Sequence, residues 1–487
     1  MPRPEIRINM QESPDGAGTR HGPFLYWRGH DAGRLHLNAI LAITGSVAPY
    51  LRTSLTETWP EQIAQIAGHR VLRYTFDVPA EADTWYELDD ERFEIAGDVS
   101  GDLRLVFVSC NGQEHGDLDR TVEDRNLMWH RLCDRHRERP FHLLLQGGDQ
   151  LYADEIKEAH PLSAHWPTDI PERLEAEQIC EVTQALREAF LHRYMEQMSQ
   201  PGQAWISARV PSLSIWDDHD ICDGWGSHKA WKLESDLGQA IFAAARECYL
   251  LFQYGIGPDE KPLGHDAAEG HSLTWSTNLP GLKILAPDLR SERRPSRVMG
   301  PDGWKAFETA MSGEAPERVI VLSSVPALGP RLSILERLME MTPWMEKYED
   351  DLRDQWQSYA HREEWQRFLK ALMEVHDRPG TRVSVLSGEI HLATRGTMDT
   401  ASGPMHQLVA SGISHPAPPL AWAVFLGWFA RLGEAPLEGH PIRLRPLPGQ
   451  RRIYAAERNY LILERNADIW TAAWDLEDSG LTEPLAI

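Results

Sequence analysis

The chain has few of the features that mark secreted or disulfide-rich proteins. Its 487 residues include only five cysteines, and none of them forms a CxxC pair. An odd number of cysteines at irregular spacing makes a poor disulfide framework, so we expect a reducing compartment. The first residues, MPRPEIRINMQESPDG, contain no apolar segment typical of a signal peptide. A cytoplasmic location is therefore expected.

Long apolar runs and an excess of basic residues are also missing. The longest apolar run, Leu420 to Ala430, is about half the length that a membrane-spanning helix needs. Its aromatic residues suit a buried helix or an oligomer contact, a membrane interface, or a cover over a site, and the oligomeric state stays open. The 49 Lys and Arg residues face 73 Asp and Glu residues, which gives a net charge of -24. Nucleic acid is an unfavourable partner for such a chain, whereas clustered carboxylates suit metal cations.

The remaining composition is that of a large folded protein. Hydrophobic residues make up 42% of the chain, and 18 Trp residues are spread along it. The length favours two domains, or one large domain with an appendage. Residues 71–80 and 84–97 alternate apolar and polar side chains, which indicates strands. We predict an N-terminal all-β sandwich domain over residues 1–99.

From residue 100 onwards the pattern is that of an α/β domain. Short apolar runs alternate with long helical stretches, as expected for a buried sheet with helical crossovers. The predicted strands are 103–110, 141–146, 212–216, 282–287, 318–324 and 382–388. The predicted helices are 124–138, 171–197, 228–254 and 355–375. Residues 460–477 read as a C-terminal hairpin that turns at Asn466 to Asp468 and adds two strands to the sheet.

Four of the predicted strands end in residues that can bind metal ions. Ligands of open α/β sheets bind at the carboxyl ends of the strands. There the sequence has Cys110 after the first strand, Asp149 and Tyr152 after the second, and Asp217 to Asp220 after the third. Glu389 and His391 follow the last one.

Each of these segments also has an ordinary structural explanation. GGDQLY is compatible with a tight turn, WDDHD with the start of a helix, and Cys110 and Tyr152 with core packing. Glu389 could be a solvated acid and His219 a structural histidine. Four such segments, each placed directly after a buried strand, are much harder to explain without a shared site. Together they predict a metal centre.

The same segments resemble a known family. SCNG at 109–112, GGDQLY at 147–152, WDDHD at 216–220 and GEIH at 388–391 are similar to the motifs of the alkaline phosphatase D (PhoD-like) family of calcineurin-like metallophosphoesterases. APDLRSERR at 286–294 is similar to a further motif of that family. The resemblance covers roughly residues 100–480. It implies a sandwich of two mixed sheets flanked by helices over residues 100–487, preceded by the N-terminal β-sandwich.

The resemblance also implies a set of metal ligands. Asp149 would bridge two metals, Cys110, Tyr152 and His391 would complete the first site, and Asp218 and Glu389 would complete the second. A thiolate and a phenolate favour Fe3+ in the first site. Oxygen ligands favour Ca2+ in the second, with Mn2+, Mg2+ and Zn2+ as alternatives. Glu389 departs from the aspartate usual in the family, and Ser323 or Ser324 stands where related phosphatases have a histidine.

The implied activity is hydrolysis of phosphate esters. A metal-activated hydroxide would attack phosphorus, His219 would contact the phosphate or protonate the leaving oxygen, and Arg290, with Arg293 or Arg294, would clamp the phosphate. Expected substrates are small-molecule or lipid-like phosphate esters, either monoesters or diesters. The competing hypotheses are a catalytically silent metal-binding or interaction protein on the same fold, and a nuclease, which the net charge disfavours.

Overall fold

The structure, a computed structural model, describes residues 18–113, 115–264, 272–313, 315–330, 355–388 and 390–487. Residues 18–99 contain strands only: β1 (Arg20–Asp31), β2 (Arg34–Ile43), β3 (Leu51–Thr53), β4 (Glu57–Thr58), β5 (Glu61–Ile66), β6 (His69–Pro79), β7 (Thr84–Leu88) and β8 (Glu91–Ile95). Strands β3, β4, β7 and β8 form a small sheet, whereas β1, β2, β5 and β6 belong to a much larger one.

The large sheet is completed by strands from residues 103–215 and from the C-terminal residues 459–486. Its further strands are β9 (Leu103–Val108), β10 (Leu143–Gly147), β11 (Ser212–Ile215), β20 (Asn459–Asn466), β21 (Ile469–Leu476), β22 (Gly480–Leu481) and β23 (Leu485–Ala486). The order is β22-β21-β20-β9-β10-β11-β1-β2-β6-β5, with β23 beside β21. Strands β9, β10 and β11 run parallel, and β20 pairs antiparallel with β9. The C-terminal hairpin extends this sheet, as the sequence pattern indicates.

One hydrogen-bonded sheet crosses the predicted domain boundary at residue 99. Strand β1 pairs in parallel with β11, with Tyr26 opposite Ser212. The prediction of a separate N-terminal sandwich assumed that these strands pair only among themselves. In the structure β1 instead belongs to the same sheet as strands that follow residue 99. The pairing joins segments almost two hundred residues apart, which the local alternation of side chains cannot reveal.

A second sheet is formed by the residues between 275 and 445. Its strands are β12 (Trp275–Leu279), β13 (Leu282–Ala286), β14 (Arg318–Leu322), β15 (Arg382–Ser387), β16 (Thr394–Thr400), β17 (Gly403–Val409), β18 (Glu434–Leu437) and β19 (His440–Arg445). The order is β12-β13-β14-β15-β17-β16-β19-β18, and β13, β14, β15 and β17 are parallel. Buried residues of both large sheets belong to one hydrophobic cluster, among them Phe107, Leu213, Ile284 and Leu386.

Helices connect and cover the sheets. They are α1 (Val122–Arg125), α2 (Leu127–Glu138), α3 (Ala176–Met198), α4 (Pro201–Ser207), α5 (Ala230–Leu233), α6 (Asp236–Phe252), α7 (Pro301–Ser312), α8 (Arg362–His376) and α9 (Leu420–Ala430), with short 3-10 turns at His115–Asp119, Ile156–Ala159 and Tyr359–His361. Helix α6 begins at a capping serine, since the Ser235 hydroxyl accepts the Gly238 N–H at 3.1 Å. None of the helices in the described ranges has the length and apolar character required to cross a membrane.

Candidate metal centre

The predicted ligands lie in loops at the carboxyl ends of the parallel strands, in an unusual backbone conformation. Cys110 follows β9, Asp149 follows β10 and His391 follows β15, with φ angles of 50°, 54° and 55°. Left-handed conformations are unfavourable for residues other than glycine, and they concentrate at functional sites that the surrounding structure holds in place. The common conformation shows that these three loops turn sharply directly after their strands.

Gly148 makes the turn into Asp149 possible. Its φ is 103°, and a Cβ atom at this position would lie 2.8 Å from the Cβ of Asp217. Ser324 packs against the same turn, because its Cβ would lie 3.3 Å from that added atom. No larger residue fits between the loops after β10, β11 and β14 at this point.

Asp149, Asp218 and His219 can offer one ligand atom each within 4.8 Å of one another. Asp149 is 7% exposed, and nothing among the described residues hydrogen-bonds its Oδ1. Burial, and then the nearby carboxylates of Asp217, Asp218 and Asp220, raise the pKa of Asp149 well above its usual range. A buried carboxylate oxygen without a donor, crowded by like charges, fits a cation as its partner.

The other predicted ligands of the first site lie beside this cluster. The Cys110 Sγ is 3.6 Å from the Asp149 Oδ2 and accepts a hydrogen bond from the Ser411 hydroxyl at 3.1 Å. The Tyr152 Oη is 2.9 Å from the His391 Nε2. Burial and the neighbouring His415 and His219 lower the pKa of His391 well below its usual range. A neutral imidazole is the form that binds metals.

The structure thus brings together five of the six predicted ligands: Cys110, Asp149, Tyr152, Asp218 and His391. The sixth, Glu389, lies outside the described residues. Donors of four chemical kinds meet here, namely a thiol, a phenol, an imidazole and two carboxylates. The donor set present fits the metals that the resemblance implies.

Asp220 connects the loops of the site through hydrogen bonds to their backbone. This fully buried carboxylate accepts the backbone N–H groups of Asp149, Leu151 and Asp217, each at 2.9 Å, and the Gln253 side-chain amide at 2.7 Å. Four donors to one carboxylate link the loops after β10 and β11 to the end of helix α6. The position of Asp149 is therefore fixed through its own backbone.

His219 is oriented by the carboxylate of Asp154. Its Nδ1 is 2.8 Å from the Asp154 Oδ2, and its ring stacks on Tyr152 with 4.3 Å between centroids. Burial alone would lower the pKa of His219, but the carboxylates of Asp154, Asp218 and Asp149 raise it well above its usual value. Since Nδ1 is engaged by Asp154, Nε2 is the atom through which His219 can act on a substrate.

Arg290 was predicted to clamp the substrate phosphate, but its side chain is buried. Its side chain is 1% exposed and forms ion pairs with Asp217 and, through Nη2 at 3.3 Å, with the Asp218 Oδ1. Its Nη1 also donates to the Trp225 carbonyl at 3.2 Å. These contacts favour a role in holding Asp218 over direct contact with a substrate. The burial of a charged residue cannot be predicted from its motif.

The companion arginines differ from each other in burial. Arg293 is fully buried against Gly226, where an added Cβ would lie 2.6 Å from the arginine Cβ. Arg294 is partly exposed and pairs with Glu234 at 3.4 Å. The location of Arg294 is that of an ordinary surface ion pair.

His415 is a residue of the site that the sequence analysis missed. It follows β17, and its ring stacks on His391 with 3.5 Å between centroids and on Tyr152 with 5.5 Å. Strand β17 pairs in parallel with β15, so both strands deliver their following residues to the same edge. The signal was the segment Ser411 to His415 after the short apolar run Leu408 to Ala410, a weaker form of the signal that identified the other loops.

Comparison with known proteins identifies the family of the chain. The profile of the family described as "PhoD related phosphatase" matches residues 84–349, just over half of the 487 residues. The chain belongs to this family. The resemblance to PhoD-like phosphatases that the strand-end motifs indicated is thereby confirmed. Membership implies metal cofactors and a phosphatase-type site, and the carboxylate cluster around Asp149 is consistent with both.

Relatives extend the comparison. An uncharacterized protein of Saccharomyces cerevisiae, YGR266W, is 24% identical over 353 residues, which are 60% of this chain and 50% of that protein. The chain thus spans about half the length of this curated relative. The solved structure of PhoD aligns with 98% of this chain and 90% of its own at 12% identity and a TM-score of 0.57, which shows a shared mixed α/β fold. GAP50, described as the anchor in the inner membrane complex of Plasmodium, has a TM-score of 0.38 at 8% identity over 80% of this chain and 89% of its own, too low to support an argument.

Proposed function

We propose that this protein is a metal-dependent hydrolase of phosphate esters. The observation that carries the proposal is the buried Asp149, whose Oδ1 lacks a hydrogen-bond donor among the described residues and lies in a cluster with Asp218 and His219. Family membership supports the same reaction. In this proposal the two large sheets form the metallophosphatase sandwich, with the centre at the ends of their parallel strands.

The donor atoms determine which metals the centre would hold. Cys110, Tyr152 and His391 with Asp149 would hold Fe3+, because a thiolate and a phenolate stabilise a trivalent ion. Asp149, Asp218 and Glu389 would hold Ca2+, with Mn2+, Mg2+ or Zn2+ as alternatives. When bound, such a metal pair supplies an activated water nucleophile and neutralises charge on the phosphate oxygens.

The residues of the chain would contribute position and a proton. Asp154 orients His219 through Nδ1, which leaves Nε2 to hydrogen-bond the phosphate or protonate the leaving oxygen. Arg290 would act as a positioning residue, because its ion pair fixes the carboxylate of Asp218, a residue that would hold the metal. His415 would hold the imidazole of His391 in place by stacking.

Both monoesters and diesters, as small molecules or lipid-like compounds, fit this chemistry. The net charge of -24 disfavours a nucleic acid substrate. We propose a cytoplasmic enzyme, in keeping with the few and unpaired cysteines. The alternative is a catalytically silent metal-binding or interaction protein on the same fold.

The first experiment is elemental analysis of protein purified without a chelator, together with its visible absorption spectrum. We expect iron with a second metal, and a charge-transfer band from the Tyr152 phenolate or the Cys110 thiolate. The same protein should hydrolyse p-nitrophenyl phosphate or bis(p-nitrophenyl) phosphate, and the preference would separate a monoesterase from a diesterase. Protein free of metal and without activity would contradict the proposal.

Matched variants locate the centre. Cys110→Ala and Asp149→Asn should lose metal, the absorption band and activity together. Cys133→Ala is the control, because Cys133 is equally buried but donates to the Gly202 carbonyl at 3.2 Å, outside the centre. A protein that binds metal through Cys110 and Asp149 but turns over neither ester would support the silent-protein alternative.

A further inference from the structure

Helix α9 presents an apolar face to solvent. Trp428 is 70% exposed, more than most tryptophans in folded proteins. The other large apolar side chains of this face recur at spacings of three and four residues, so they lie on one side of the helix. They are Leu420 at 48%, Val424 at 39% and Phe425 at 39%, followed by Leu432 at 61% just beyond the helix end.

The opposite side of α9 holds the helix to the protein. Ala423, Leu426 and Ala430 are buried in one cluster with Leu392 and Tyr454. Helix α9 is therefore apolar on both sides, and only the inner side is used in packing among the described residues. A helix that is apolar all round is expected to be covered on all sides, which means that the outer face calls for a partner.

Arginines border this face. Arg431 directly follows α9, and three to four residues per turn place it on the side of Val424 and Trp428. Arg451 and Arg452 are exposed and precede Ile453, whose Cβ lies 3.9 Å from the position of a Cβ on Gly427. No acidic side chain of the described residues pairs with any of these three arginines. This positively charged border contrasts with the net charge of -24 of the whole chain.

We propose that α9 docks in the plane of an anionic lipid surface. The exposed tryptophan, phenylalanine and aliphatic side chains would enter the boundary between headgroups and acyl chains, and Arg431, Arg451 and Arg452 would face the anionic headgroups. The remaining acidic surface of the protein would be repelled by the same headgroups. This charge distribution favours approach with the α9 face turned toward the lipid.

A second copy of the chain is a poorer occupant of this face. A two-fold contact would bring the same patch of both copies together, so the arginine borders of the two α9 helices would lie side by side. Like charges at that distance oppose association. An anionic lipid surface can bury the apolar face in its acyl chains and attract the arginine border with its headgroups.

The location of α9 connects this surface to the metal centre. Leu392, which packs against the inner side of α9, directly follows His391, and His415 lies five residues before the helix begins. Docking through α9 would hold the centre next to the lipid surface. Phosphate esters of lipids would then be the substrate class, a consequence that rests on the proposed hydrolase function, whereas the docking itself does not.

The test is co-sedimentation of the full chain with sucrose-loaded vesicles of phosphatidylcholine alone or with 30% phosphatidylglycerol. We expect binding that requires the anionic lipid and weakens with salt. Arg451→Ser with Arg452→Ser should weaken it about twenty-five-fold, because each arginine at an anionic surface contributes about five-fold. Trp428→Ser should also weaken it, whereas Trp59→Ser should not, since Trp59 is 71% exposed but follows strand β4 of the small N-terminal sheet and is not in the cluster around α9.

Other outcomes would overturn the proposal. Vesicle binding that is equal with and without the anionic lipid excludes an anionic surface as the partner. Vesicle binding that is equal for Trp428→Ser and Trp59→Ser excludes docking through α9. A dimer in light scattering that becomes a monomer in Trp428→Ser, without vesicle binding, assigns the face to a second copy. Asp149→Asn should bind vesicles like the wild type, so that failure of docking and failure of the hydrolase proposal give different results.

Discussion

Arg290 shows how much the environment of a single residue decides about its role. The guanidinium is buried between the Asp217 and Asp218 carboxylates. Removing one partner of a buried ion pair leaves an uncompensated charge, which costs about 3–5 kcal/mol. We predict that Arg290→Met lowers the free energy of unfolding of the metal-free protein by this amount, measured by urea denaturation.

The control is Arg294→Met, since the partly exposed pair of Arg294 with Glu234 is worth less than about 1 kcal/mol. The role that the sequence motif suggested for Arg290, clamping the phosphate, leads to a different expected result. If Arg290 clamps the substrate phosphate, Arg290→Met should raise KM strongly while the free energy of unfolding changes no more than in Arg294→Met.

The motif residues and their partners differ in how far the sequence reveals them. Cys110, Asp149 and His391 were predicted to lie together because each follows a short apolar run. The left-handed turns that all three adopt appear only in the structure. His415 carries the same signal, but its strand β17 was not predicted, since MHQLV mixes polar and apolar residues without a clear period. Contacts between a loop and a distant helix, such as that of Asp220 with Gln253 at the end of α6, have no local signal at all.

Among the elements, the buried strands with continuous apolar sequences are the ones that the sequence predicts best. The six predicted strands of the α/β region correspond to β9, β10, β11, β13, β14 and β15 with ends that differ by about two residues, because buried strands are nearly continuous apolar runs. The four predicted helical stretches are also present in the main, although the first is divided into α1 and α2 and the third into α5 and α6. The partner of an edge strand, by contrast, is decided by tertiary packing.

The contacts of strands β1 and β2 indicate that the residues before 100 do not form an independent unit. Strand β1 covers the edge of β11, the Tyr26 hydroxyl donates to the Phe252 carbonyl at 2.5 Å, and the Asn38 amide donates to the Gly255 carbonyl at 2.8 Å. We predict that a fragment of residues 100–487 aggregates on expression, because an open strand edge and apolar surface would be exposed. Size-exclusion chromatography is the measurement.

Co-expression of residues 1–99 should restore soluble protein, because β1 can pair in trans. A fragment 100–487 that is monomeric and unfolds cooperatively would instead support the independent N-terminal domain that the sequence pattern suggested. The pairing of β1 with β11 would then add little to the stability of the sheet.

For the molecule as a whole, acid lability is expected from histidines buried without a charge. Burial, and then Arg209, Arg104 and Arg137, lower the pKa of His136 from 6.5 to about 4. Its Nδ1 accepts the Phe141 N–H at 3.1 Å, which requires that this nitrogen carry no proton. Burial lowers the pKa of His406 to about 4 as well.

A lowered histidine pKa means that the unfolded chain binds more protons than the folded protein below pH 6.5. The free energy of unfolding should therefore fall as the pH decreases from about 6.5 to about 4, by about 3 kcal/mol for His136. We predict that His136→Gln, which keeps an acceptor for the Phe141 N–H but does not titrate, removes the His136 part of this decrease and leaves that of His406. Urea unfolding of chelator-treated protein at several pH values measures it, since metal loss is then excluded. His165→Gln, at an exposed position, is the control, and equal pH dependence in both variants would show that His136 is not the cause.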